Sequence, residues 1–316
     1  MKFNRFIFAL LLVSGFGFAA EKTTIRIGVQ ATGTVAWELA ALPKKTEADF
    51  ELAVQKLANP EAGKVALQSG AVDVIVSDWL WVSRLRATGS DFTFYPYSST
   101  SGALLVPKDS PIHGIKDLVG KRLGIAGGEL DKNWLLLQAL AQKEHLDLNT
   151  SVEKTIGAPP LLNEQMLQKR VDALLTYWNF AAKLEAQGYR QIIDGMGILK
   201  GLGITENVPT LGYVFKQTWA TAHKQALNHF LTAASQAKNQ LCTSDAAWHS
   251  ILPLTQTEDA TTQATLRQHY CEGMVSQWGD KEQQAAASIY RLLHQLSKGQ
   301  LTGPAETLDA GTFWVQ

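Results

Sequence analysis

The stretch VDVIVSDWLW, residues 72–81, decides how the rest of the chain is read. Val72, Val74, Ile75 and Val76 form a short apolar run of strand length. Ser77 and Asp78 end it, and Trp79 opens WLWVSRLRATG, which reads as a helix closed by Gly89. The chain repeats this plan about a hundred residues later. LQSGAVDVIVSDWLWVSRLRATG can be laid on LQKRVDALLTYWNFAAKLEAQG with a one-residue gap. Both copies run Leu-Gln, Val-Asp, strand, Trp, helix, Gly. Two like units, each with aromatic residues at a strand's carboxyl end, predict two facing lobes.

Working outward, TTIRIGVQ alternates Ile25, Ile27 and Val29 as a strand, and Val35 to Leu42 is a short helix before Pro43. DFELAVQKL is the next strand. Asn59, Pro60 and Gly70 are the cap, first position and stop of a further helix. DFTFYPYS is a strand. A second alternating block follows: a strand over Arg122 to Ala126, a helix over Leu130 to Lys143, strand SVEKTIGA, a helix over Leu161 to Gln168, strand VDALLTYW and a helix over Asn179 to Gln187. Such alternation implies an α/β protein with mostly parallel sheets flanked by helices. GMGILKGLGI reads as a loop between lobes. From Thr218 to Leu296 the chain is mainly helical and rich in Ala and Gln.

Residues 1–19 read as a signal peptide: Lys2 and Arg5 precede the apolar run Phe6 to Phe16, and Gly17 and Ala19 supply small residues before a cut. The run is short for a membrane span. The mature chain is therefore expected in the periplasm. Without Lys2 and Arg5, 27 basic residues face 29 acidic ones, and no basic cluster suggests nucleic acid. Cys242 and Cys271 are the only cysteines. In an oxidising compartment they read as a disulfide, the alternative being two buried thiols on neighbouring helices. The seven histidines have no metal-ligand spacing, and neither G-x-S-x-G nor a P-loop occurs. No catalytic, metal or cofactor site is predicted.

DSPIHGIKDLVGKRLGIAGG, with IRIGVQATGT, ALQSGAVDVIVSD and QKRVDALLTYW, resembles type-II periplasmic solute-binding proteins, in the branch for nitrate, sulfonate, taurine and pyrimidine precursors. The resemblance spans nearly the whole mature chain. It implies a two-lobed fold with two crossings, near Ser101 to Pro107 and Pro209 to Val214. Residues 22–104 and 212–316 would then make lobe one, the latter including a C-terminal helical layer, and residues 105–211 lobe two. Two facing lobes make a cleft that can close on a small ligand by hinge motion, and the chain is expected to be a monomer; the resemblance also implies delivery of the ligand to an inner-membrane ABC permease.

Ligands of open α/β sheets bind beyond the strands' carboxyl ends. The candidates there are Thr32, Gly33 and Thr34, then Ser77, Asp78 and Trp79, with Trp81 assigned to packing. Ser101 and Gly102 sit at the first crossing. Glu129 and Asp131 open a helix, and Tyr177, Trp178 and Asn179 face Trp79 as an aromatic clamp. A helix N-terminus suits an anion. Carboxylates at Glu129 and Asp131 depart from the branch's anion-binding pattern and point to a neutral or cationic, ring-bearing ligand. Two alternatives keep the fold: an accessory protein of a periplasmic dehydrogenase system, and a pyrimidine-precursor enzyme, which the signal peptide disfavours.

Overall fold

The computed structural model describes residues 22–31, 33–43 and 50–315. The signal-peptide reading of residues 1–19 and the candidate Thr32 lie outside them. In chain order the first block is β1 (Thr23–Gln30), α1 (Val35–Ala40), β2 (Phe50–Leu57), α2 (Pro60–Ser69), β3 (Val74–Ser77), α3 (Trp79–Arg86) and β4 (Phe92–Ser98). The second is β5 (Ala103–Val106), β6 (Arg122–Ala126), α4 (Lys132–Lys143), α5 (Leu148–Ser151), β7 (Glu153–Gly157), α6 (Pro159–Leu167), β8 (Ala173–Thr176), α7 (Trp178–Glu185), β9 (Arg190–Asp194) and α8 (Gly195–Gly201). The chain returns through β10 (Leu211–Lys216) into α9 (Gln217–Ala222), α10 (Lys224–Thr243), α11 (Asp245–Ile251), α12 (Ala260–Glu272) and α13 (Asp280–Ser297).

Two five-stranded sheets result, in the orders β2-β1-β3-β10-β4 and β7-β6-β8-β5-β9. In each, one strand runs against the rest: β10 is antiparallel to β3 and β4, and β5 to β8 and β9. These are the strands that arrive from the other lobe, so the crossings themselves cause the reversal. Alternation along the strands sorts side chains between two buried faces. Val74, Tyr213 and Phe215 join one cluster with Ile25 and Ile27, while Ile75 and Val214 face another. Leu174 and Leu105 likewise separate from Leu175 and Leu104.

The repeat seen in sequence has a matching physical lock in each lobe. Asp73, just before β3, takes the Arg26 backbone N–H at 2.9 Å and its guanidinium at 2.5 and 3.0 Å. Asp172, just before β8, takes the same three donors from Arg122 at 2.9, 2.6 and 3.0 Å. The carboxylates thus fix the register between β1 and β3 in one lobe and between β6 and β8 in the other. The Asp73 side chain is 6% exposed and that of Asp172 is 34%. Asp73→Asn should therefore lower unfolding free energy by about 1–2 kcal/mol, and Asp172→Asn by less. Urea melts of the two variants test the order; equal losses would contradict it.

The first crossing is residues 99–102, between β4 and β5, so Ala103 and Leu104 belong to the second sheet rather than to lobe one. GMGILKGLGI is not a loop between lobes. Its first seven residues form α8, whose first turn is capped by Asp194 accepting from Gly197 N–H at 2.6 Å. A methyl group at Gly201 would lie 2.7 Å from Leu140 Cδ1, so that glycine lets α8 settle on α4. The C-terminal helices also reach past lobe one: α12 packs against α7, and α13 against α4. Cys242 on α10 and Cys271 on α12 are joined, their Cα atoms 5.6 Å apart. Among the described residues no helix is long and apolar enough to cross a membrane.

Candidate functional site

The carboxyl ends of β1 and β3 face those of β6 and β8 over the two crossings. After β1, Gly33 donates its N–H to Gln30 O at 3.1 Å to make the turn into α1. Thr34 precedes α1 without capping it by side chain; its hydroxyl lies 3.3 Å from the Tyr97 phenol. After β3, Ser77 is buried, and Asp78 caps α3 by accepting from Trp81 N–H at 2.9 Å. The other Asp78 oxygen lies 3.4 Å from Lys132 Nζ, at the start of α4 in the opposite lobe. Burial works to raise the Asp78 carboxyl, but Lys132, the Trp81 N–H and Lys64 outweigh it and hold its pKa below the usual value.

Trp79 does not form one jaw of an aromatic clamp. Its side chain is buried, its indole N–H donates to Pro209 O at 2.9 Å, and its ring meets Phe313 edge-on. It ties the end of β3 to the second crossing. Trp81 packs on Phe92 at 5.9 Å. The indole that does face Trp178 is Trp37 on α1, with ring centroids 6.4 Å apart and planes at 85°. Tyr177 is 38% exposed, and burial, then Asp131 and Glu61, push its phenol up to about 12. Asn179 lies in the first turn of α7, half-buried.

In lobe two the two acidic candidates separate. Glu129 is exposed and pairs with Lys154 at 3.2 Å, on the lobe's own surface. Asp131 caps α4, accepting from the N–H groups of Asn133 at 2.9 Å and Trp134 at 3.1 Å. Burial raises its carboxyl to about 6 against those donors and Lys132. The N-termini of α3 and α4 are therefore already occupied by carboxylates of the chain, whereas those of α1 and α7 carry no side-chain cap.

The crossings form the floor. Gly102 lies so close to β8 that a side chain there would overlap the Thr176 carbonyl and meet Asn133 Nδ2 at 3.0 Å. Its carbonyl accepts from Gly195 N–H at 2.9 Å, and the Ser101 side chain packs against Gly195. Behind α1, Glu38 is fully buried. It accepts from Tyr97 at 2.8 Å to each oxygen and from Tyr270, while Lys238 donates to Tyr97 O at 3.0 Å and lies over the Tyr97 ring. Beside the first crossing lies a cavity of 310 Å³, bounded by Ser99 to Ser101, Trp178 and Glu185 of α7, Asp194, and His269 and Glu272 of α12.

Several of these groups were not among the candidates. Lys132 carried a signal, since a lysine at the first position of a helix opposes the dipole unless an acid meets it. His269 and Glu272 have helical i,i+3 spacing. Trp37, Glu38, Glu185 and Lys238 look like ordinary helix residues in the sequence, and only tertiary packing brings them together.

The NMT1/THI5-like family pattern matches residues 46–244, more than half of the chain. The chain belongs to the NMT1/THI5-like family. No curated protein matches its sequence. Among solved structures, this NMT1/THI5-like chain is similar to the periplasmic aliphatic sulphonate binding protein SsuA of Escherichia coli, at 18% identity and TM-score 0.74, covering 93% of each chain. It is also similar to the alkanesulfonate-binding protein SsuA of Xanthomonas axonopodis pv. citri bound to MOPS, at 20% identity and TM-score 0.69, covering 93% of this chain and 99% of that one. The nitrate-binding protein NrtA of Synechocystis PCC 6803 matches at 11% identity and TM-score 0.52, over 73% of this chain and 66% of that one. The NMT1/THI5-like chain thus has the two-lobed fold of type-II periplasmic binding proteins.

Proposed function

We propose that this protein is the periplasmic substrate-binding component of an ABC-type importer, capturing a small neutral or cationic organic ligand between its lobes and delivering it to an inner-membrane permease. It acts as an exported monomer and binds without catalysis. Residues 99–102 and 202–210 connect the two sheets and would serve as the hinge. The observation that carries the ligand's charge is the capping of α3 by Asp78 and α4 by Asp131. An anion approaching those N-termini meets carboxylate where it would need bare N–H groups. Trp178 is half-buried on α7, so ligand entry beside it would change its environment, while Trp37 is buried and held by its N–H bond to Leu254 O at 3.1 Å.

Tryptophan fluorescence of the purified chain tests this against a panel of amines, heterocycles, polyols, sulfonates and nitrate. Amines or neutral heterocycles should give a saturable change and the anions none. A saturable response to sulfonates or nitrate, with none to the others, would refute the charge assignment. A second reading is an accessory protein that binds another protein. It is favoured by the Asp78–Lys132 contact, which bridges the two lobes with the chain's own side chains, and by the burial of Trp37 against Trp178.

A further inference from the structure

The cavity beside the first crossing has chemistry of its own. At 310 Å³ it falls at the small end of ligand sites, roughly 300–1,000 Å³. Its wall carries the carboxylates of Glu185, Asp194 and Glu272 and no lysine or arginine. The one group of opposite potential charge is the His269 imidazole, which lies 2.8 Å from Glu185 Oε2 and 2.9 Å from Glu272 Oε2. Glu185 keeps a second oxygen, Oε1, which is shielded from solvent and has no hydrogen-bond partner among the described residues. A shielded carboxylate oxygen without a donor is costly, and it meets the N–H groups of a cation once the Glu185 side chain turns on releasing His269. Trp178 adds an aromatic wall, and Ser99 to Ser101 add hydroxyls.

We propose that this cavity is a binding site for a small organic ammonium ion, held by Glu185 and Glu272 in place of the His269 imidazole, with its apolar part on Trp178. The site deepens the solute-binding reading and rests on it for its biological sense. Because Glu185 and Trp178 come from α7 of one lobe while His269 and Glu272 come from α12 packed on the other, an occupant contacts both lobes.

The test is isothermal titration of the full mature chain with benzylammonium, tetramethylammonium and putrescine, using wild type, Glu185→Gln, His269→Gln and Glu272→Gln. Glu185→Gln should weaken the bound amine by about ten-fold or more, the loss of one charge-assisted contact. His269→Gln should tighten it several-fold, because the competing imidazole is gone. Both substitutions break the same ion pair, so a purely structural pairing would move affinity the same way in both. Opposite signs support the site. Shifts of the same sign, no shift, or no binding of any of the three amines to wild type would overturn it. Should Glu185→Gln fail to fold, Glu272→Gln takes its place and should weaken binding while His269→Gln tightens it. An amine that binds equally well to all four proteins removes this site but leaves the solute-binding reading standing. Sulfonate or nitrate as the responding ligand removes both.

Discussion

Glu38→Ala should lower unfolding free energy by about 3–5 kcal/mol, because it strips the acceptor from two buried phenols and the nearby counter-charge from buried Lys238. Glu38 is 0% exposed and Lys238 6%. Without the carboxylate, Lys238 stays buried with the Tyr97 carbonyl as its acceptor, and the phenols of Tyr97 and Tyr270 lose theirs. The cluster joins α1, β4, α10 and α12, so its loss is felt throughout lobe one. Replacing both charges, as in Glu38→Ala with Lys238→Met, should recover much of the loss, since apolar substitution of a whole buried pair is often tolerated. Urea melts measure this, and a single variant as stable as wild type would contradict it.

The same residue gives a pH signature. Burial, against Lys238 and the two phenols, lifts the Glu38 carboxyl from its usual 4.5 to about 7. Between those values the folded chain holds a proton that the unfolded chain has released, so Glu38's contribution to stability falls as pH rises from about 4.5 to 7. Lys238 moves oppositely, lowered to about 8 by burial against the pull of Glu38. Glu38→Gln, which keeps one acceptor oxygen and does not titrate, should flatten the decline between pH 5 and 7. A decline of unchanged slope would assign it to other groups.

Removing the disulfide should cost about 3–4 kcal/mol for a loop of this length in the chain-entropy model. Cys242 and Cys271 are 29 residues apart in sequence, and the bond fastens α12 to α10. The α12 segment next to it carries His269, Tyr270 and Glu272, which reach α7, Glu38 and the cavity beside the first crossing respectively. A Cys242→Ala, Cys271→Ala variant, or wild type with reductant, should therefore unfold at lower urea. In the variant the tryptophan emission should also change before global unfolding, as Trp178 loses the packing of α12 against α7. Identical urea midpoints for oxidised and reduced protein would contradict the account.

The fold was legible because it rests on local patterns. The strand VDVIV, the Asn59–Pro60 start and Gly70 stop of α2, and the repeated Val-Asp before β3 and β8 are all set by periodicity and capping. The repeat even pointed to paired lobes, although the arginines that answer Asp73 and Asp172 emerged only in three dimensions. Two things resisted reading. Glycines in GMGILKGLGI suggest a loop, yet Asp194 caps the segment and Gly201 serves close packing against Leu140. At the site, Asp78 caps α3 and Asp131 caps α4, but which indole faces the other lobe depends on tertiary packing. Trp79 turns to Pro209, and Trp37, an unremarked helix residue, takes the position opposite Trp178. The groups around the cavity beside the first crossing come from α7 and α12, more than eighty residues apart in sequence, so no motif links them.

On the function proposed above, the chain holds a small neutral or cationic organic molecule between its lobes. Native mass spectrometry of freshly isolated protein tests it most directly. The expected result is a mass above that of the chain by one small organic molecule, lost on mild denaturation and identified as uncharged or cationic. A bound sulfonate or nitrate, or a bare chain carried in a stoichiometric complex with another protein, would contradict it.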